Sequence, residues 1–296
     1  MTSWFLAGLL CLGAFVQPGE TRILLVASPY ALAAHQSSAR VASAGPTPLA
    51  VQLGVLFSDW KGVPRGEMDT KVPDIKARID AALTTYVAGR LEETPRPAAL
   101  DVQDDLNKAM ATATWESVFG LSQAEVAAAL NSNASRPLAY VVEGSGPVSD
   151  LYASAFAIGY GNVFSTRVHA FRSTGGKCRA VNPGDSPLDG AVSGAVRLTS
   201  FAAPELRLLV WSQHIGSPEG LTTIALYRFD GNALQTLWKN ENVPAAKVTL
   251  QEGLVVIESH SHAFTKDGTV FSYDRRFYQQ VAGGLEQVKI TQWTER

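Results

Sequence analysis

Five consecutive residues carry the side chains best suited to chemistry: Glu258-Ser259-His260-Ser261-His262. On a β-strand, residues two apart point to the same face, so Glu258, His260 and His262 would stand together. Two imidazoles and a carboxylate are a donor set for zinc or iron, and ring nitrogens at i and i+2 can converge on one ion. A further ligand would come from elsewhere, with His214 the first choice and His35 and His169 more distant in sequence. The same face also carries Leu254 and Val256, which fits a strand running out of a core and ending in solvent. That plainer reading is preferred, so neither a metal nor a cofactor is expected.

Other reactive residue types lack their companions. Cys178 has no histidine at a recognisable spacing and reads as a small buried hydrophobe rather than a nucleophile. Gly144-Ser145-Gly146 is a turn, not the G-x-S-x-G elbow of a serine hydrolase. No P-loop or G-x-G-x-x-G opens a helix, and Gly159-Tyr160-Gly161-Asn162 reads as a hairpin connection. The catalytic residues are therefore unknown. Trp60, Trp115, Trp211, Trp238 and Trp293 could furnish a recognition surface, but each reads first as core, with Trp293 the most exposed of them.

Positioning these residues requires a fold, and composition bounds it. The 296 residues are 46% hydrophobic and 18% charged, which allows a real core and excludes a disordered chain. A net charge of -2 leaves no footprint for nucleic acid or for an anionic membrane surface.

Two apolar runs, Trp4 to Val16 and Ile23 to Ala33, are parted by Gly19-Glu20-Thr21-Arg22. A spanning helix needs about 20 uninterrupted apolar residues, whereas a signal peptide needs a shorter run and a small-residue cleavage site. Ala31-Leu32-Ala33 supplies that site, so residues 1–33 are expected to be a signal peptide and the protein periplasmic or extracellular. No Lys or Arg precedes the first run, which leaves an uncleaved anchor or a buried segment as alternatives. After cleavage no stable membrane span is expected. Cys11 falls within the leader behind Leu10, where lipoprotein processing wants a small residue. Only Cys178 would remain, so no intrachain disulfide can form.

Residues 34–50, rich in Ala, Ser, Gly and Pro, read as a linker. A mainly helical segment follows over 51–137. Val51 to Phe57 reads as a short strand and Lys61 to Pro73 as a loop. From Asp74, Ile75, Ile79, Leu83, Tyr86 and Val87 recur at helical spacing until Gly89 and Pro95-Arg96-Pro97. A second helix runs from Asp101 to Phe119 with Gly120 as its stop. Ser122 and Glu125 form a capping box for a short Ala-rich helix to Leu130, and Asn131 to Pro137 is a loop.

Over 138–296 the pattern becomes antiparallel strand, so the fold class is α+β. Three segments run alike: Leu151 to Val181, Leu208 to Trp238 and Val255 to Ile290. Each has an apolar strand, a Gly turn, a strand pairing aromatics with Arg, a second Gly turn and a short last strand. The central pairs are Phe171-Arg172, Tyr227-Arg228 and Arg276-Phe277-Tyr278. One more strand fits before each unit, at Ala139 to Val142, Val196 to Leu198 and Val248 to Leu250. Phe171 and Tyr227 are 56 positions apart, and Tyr227 and Tyr278 are 51. Four strands per roughly 50 residues resembles the β-propeller type of repeat, with the turn Tyr227-Arg228-Phe229-Asp230-Gly231-Asn232 as its best-marked feature. The resemblance implies stacked meanders whose aligned aromatics fill the gaps between sheets. The chain lacks the Gly-His and Trp-Asp pairs of WD40 blades, and three units fall short of closure. A partial propeller completed by the helices, an open twisted sheet and a sandwich all remain open.

Two function classes follow. One is a binding or assembly module of the envelope with a protein or carbohydrate partner. The other is a metal-dependent or other hydrolase of the envelope. The absence of a catalytic motif favours the first.

Overall fold

The computed structural model describes residues 47–122, 124–126, 128, 137–160, 163–181, 187–198, 204–214, 220–265 and 268–295. The expected signal peptide, most of the linker, and the segment 129–136 lie outside these residues.

Among the described residues, three long helices come first: α1 (Pro48–Lys61), α2 (Met68–Glu92) and α3 (Ala99–Phe119). The expectation of a strand over Val51 to Phe57 is corrected, because those residues belong to α1. Leu49, Leu53, Leu56, Phe57 and Trp60 fall on one helical stripe and are all buried. Thr47 caps it by accepting from the Ala50 amide, and Pro48 sits where its missing N–H costs nothing. The loop expected over Lys61 to Pro73 is shorter than thought. A 3-10 turn, Arg65–Glu67, leads straight into α2, whose second turn contains Pro73. Gly89 lies within α2 and does not end it; the chain leaves the helix after Glu92. Gly120 closes α3 with φ of 67°, where a side chain would be strained. Beyond it, the Glu125 carboxylate accepts from the Ser122 amide at 2.8 Å while the Glu125 amide donates to Ser122 Oγ at 3.4 Å.

The strands form three antiparallel sheets in chain order. Sheet A is β1 (Ala139–Glu143), β2 (Leu151–Tyr160), β3 (Val163–Thr174) and β4 (Lys177–Val181), with the short β5 (Leu188–Asp189) also on β3. Sheet B is β6 (Ala191–Leu198), β7 (Leu206–Gln213), β8 (Thr222–Phe229) and β9 (Leu234–Val243). Sheet C is β10 (Lys247–Gln251), β11 (Leu254–Thr265), β12 (Gly268–Val281) and β13 (Gly284–Glu295). Each sheet is a meander, every strand pairing with the next in sequence.

The layers stack as helices, A, B and C. Tyr152, Phe156, Ile158 and Phe171 face the helices and share a core with Ile79, Leu83 and Leu106. The other face of sheet A presents Ala153, Ala155, Ala157 and Ala170 to Leu208, Val210, Tyr227 and Phe229 of sheet B. Small residues on one sheet thus receive large ones from the next. Leu209, Ile224 and Leu226 then meet Val255, Ile257, Tyr278 and Leu285 of sheet C. Sheets A and B are buried on both faces, which is why β2 and β7 read as mostly apolar runs, interrupted at Ser154 and Arg207, rather than alternating ones.

Phe171, Tyr227 and Tyr278 each face the preceding layer. Arg172 and Arg228 follow immediately in their strands and so point the other way. Arg276 does not match them. It lies two residues from Tyr278 and shares its face.

Helix α3 also closes the free edge of sheet A. Asn107 Oδ1 accepts from the Leu138 and Ala139 amides, its Nδ2 donates to the Ala139 carbonyl, and Gln103 Oε1 accepts from the Val141 amide. Two side chains on one helical face thereby occupy edge groups that would otherwise recruit another strand.

Candidate binding cleft

Sheet C is longer than sheet B. The β8–β9 ladder ends at Thr222 and Val243, whereas β11 and β12 run on to the pair Thr265–Gly268. The surplus hairpin, with the end of β13, overhangs the stack. On the side facing sheet B, the apolar series Val255, Ile257 gives way along β11 to Ser259 and Ser261. On β12, Tyr278 gives way to Arg276, Asp274 and Ser272. Where the core ends, these polar residues face the last residues of β9 across a cleft of about 380 Å³.

The far wall is Asn240, Glu241, Asn242, Val243 and Pro244. Asn242 and Ala245 take φ of 58° and 43°, the left-handed values that bend β9 into β10. Within the cleft, Arg276 Nη2 donates to Asp274 Oδ2 at 2.9 Å and Gln292 Nε2 donates to Asp274 Oδ1 at 2.7 Å. Arg276 Nε is buried and has no hydrogen-bond partner among the described residues.

Glu258, His260 and His262 occupy the opposite face of the same strand. They do share a face, as their spacing requires, and each meets its cross-strand neighbour. Glu258 pairs with Arg275 at 2.6 Å, His260 lies 5.8 Å from the Tyr273 ring, and His262 lies 6.2 Å from Phe271. Tyr273 stacks on Trp293 at 5.2 Å with planes 5° apart, and Arg275 lies over Trp293. His214 follows β7 in sheet B, where its amide donates to the Leu221 carbonyl. Among the described residues no three His, Cys, Asp or Glu side chains are grouped to hold a metal ion. Trp60 is buried, Trp115, Trp211 and Trp238 are half-buried, and Trp293 is the exposed one at 37%.

A second polar group escaped the sequence reading. Ser154 and His169 are directly opposed across β2 and β3, and His169 Nε2 lies 2.7 Å from Asp80 Oδ1 on α2. The residue types are those of a serine hydrolase, but the setting is not. Ser154 is 1% exposed, and its hydroxyl makes no hydrogen bond among the described residues. A nucleophile needs both its base and access to substrate. The Asp80–His169 pair instead fastens α2 to sheet A.

Cys178 is similarly structural. Its amide donates to Glu92 Oε1 at 2.7 Å, and burial, reinforced by the Glu92 carboxylate, pushes the thiol up to about 11. Protonated at neutral pH, it should react with iodoacetamide at pH 8 roughly a hundredfold more slowly than an exposed cysteine, whose pKa is about 8.5. Its alkylation rate should climb between pH 9 and 11. Alkylation of the folded protein at the rate of a free thiol would contradict this.

A larger groove, about 690 Å³, lies between α1 and α2. It is lined mainly by aliphatic carbon, with Arg78 its one charged residue, and lacks convergent polar groups. Comparison with protein-family models, curated proteins and solved structures gives no match. The functional reading therefore rests on geometry.

Proposed function

We propose that this is an exported envelope protein that acts by binding, through the overhang of sheet C. The observation that carries this is the reversal along β11 and β12, where one face changes from core to a line of hydroxyl, carboxylate and guanidinium groups beside a cleft. A strand extension that added only length would have no need to gather such groups at the end of a core.

The three meanders are read as equivalent units of a partial, propeller-like stack with the helices as its first cap. Their common strand order supports this. So does the extra residue that each last strand carries, Leu237 on β9 and Val288 on β13, opposite the step into Tyr227 and into Tyr278.

Co-sedimentation of the purified protein with isolated envelope fractions tests the binding reading. Replacing residues 261–272 by a two-residue turn joins His260 to Tyr273, which already pair, and leaves the apolar contacts of sheet C intact. The wild type should sediment with the envelope and the shortened protein should remain in solution. Equal sedimentation of both, or none of either, would overturn the reading. Export predicts that the protein recovered from outside the cytoplasm begins at Ala34 on N-terminal sequencing; a cytoplasmic protein that retains Met1 would refute it.

A further inference from the structure

We propose that the cleft between sheets B and C is a binding site for a neutral saccharide. The inference rests on the binding reading above and names the class of ligand.

The charges lining the cleft are already matched within the protein. Asp274 holds Arg276, and Glu241 is paired with Lys239. An ionic ligand would have to break one of these pairs, and no surplus charge attracts it. What the cleft offers instead is hydrogen-bonding capacity that can both give and take. Ser259, Ser261 and Ser272 each carry a hydroxyl that donates and accepts, and Asn240 and Asn242 carry amides that do the same. Asp274 retains acceptor capacity beyond its two bonds.

A sugar ring is the complement of such a surface. Its hydroxyls donate and accept at close spacing, and its C–H faces are apolar. Val243 and Pro244 on the opposite wall supply carbon for those faces. A volume of about 380 Å³ lies within the ~300–1,000 Å³ of small-ligand sites. Strand parity puts the serines here and Tyr273 and Trp293 on the other face; neither ring lines the cleft, although His260 between the serines does.

Calorimetric titration with lactose, cellobiose and N,N′-diacetylchitobiose, set against inorganic phosphate and galacturonate, tests the assignment. At least one neutral disaccharide should bind with Kd of about 1 mM or tighter. Asp274→Ala should weaken it at least about tenfold, and Ser261→Ala and Ser272→Ala by a few-fold each. Trp293→Ala, on the opposite face, should leave it unchanged. The proposal is overturned if the anions bind and the neutral sugars do not. It is also overturned if binding survives both Asp274→Ala and the double serine variant. Envelope co-sedimentation without saccharide binding overturns the ligand class and leaves the binding reading standing; loss of both overturns both.

Discussion

Truncating Tyr227 to alanine is expected to remove about 3–5 kcal/mol of stability, the range for large aromatics deleted from a core. Tyr227 is 3% exposed and fills the gap between sheets B and A against a bed of alanines. Those alanines cannot move to close the space, because Ala153, Ala155 and Ala170 are fixed in the β2–β3 ladder. The cavity term should therefore be felt in full. Trp293→Ala is the control. That ring is larger but stands on the open face of sheet C, where its loss should cost no more than about 1 kcal/mol. Urea denaturation of the two variants gives the comparison. Equal losses would mean that the sheets do not share cores as described.

The second large effect is expected at Arg207. It is 2% exposed, yet it carries a charge into the space between sheets B and C. Its guanidinium meets Glu205 at 2.7 Å and donates to the Val281 and Ala282 carbonyls at the β12–β13 turn, at 2.7 and 3.0 Å. One side chain thus ties the end of β7 to the next sheet. Arg207→Ala leaves the Glu205 carboxylate and two carbonyls without their donor, and should cost about 3–5 kcal/mol. Arg207→Met tests the reason. It restores apolar volume but none of the donors, so it should recover little of the loss. If Arg207→Met were as stable as the wild type, packing would explain the site and the hydrogen bonds would be incidental.

Helices α2 and α3 were legible in the sequence because Ile75, Ile79 and Leu83, and then Leu106, Ala109 and Ala113, keep a helical period long enough to be distinctive. The strands were legible from their turns. Asp230, for example, accepts from the Asn232 and Ala233 amides, which hold its carboxyl below the usual carboxylate range, and Gly231 takes φ of 93°. Helix α1 is easily taken for a strand because Val51, Leu53, Val55 and Phe57 fall at strand spacing; only the wider set from Leu49 to Trp60 reveals the helical stripe. The cleft was half visible. The change from Val255 and Ile257 to Ser259 and Ser261 lies in the same residues that drew attention to His260 and His262, but on the other parity. That the serine face meets a cleft depends on where sheet B stops, which β11 does not encode. Asp80–His169 and Arg207 were invisible for a related reason: each partnership joins layers that are distant in sequence, and nothing local marks either residue as buried.

The layers follow one another in the chain as they do in space, and this has a kinetic consequence. Each sheet closes through hairpins between neighbouring strands, so its internal contacts require only short loops to form. The helices and sheet A can be complete before sheet B has been synthesised, and sheet B before sheet C. Each new meander then finds a finished apolar face waiting for it, and needs no strand from a later part of the chain to complete itself. Assembly from the N-terminal end towards the C-terminal end is therefore the low-entropy route, with sheet C the last to settle and the first to open when the stack begins to come apart.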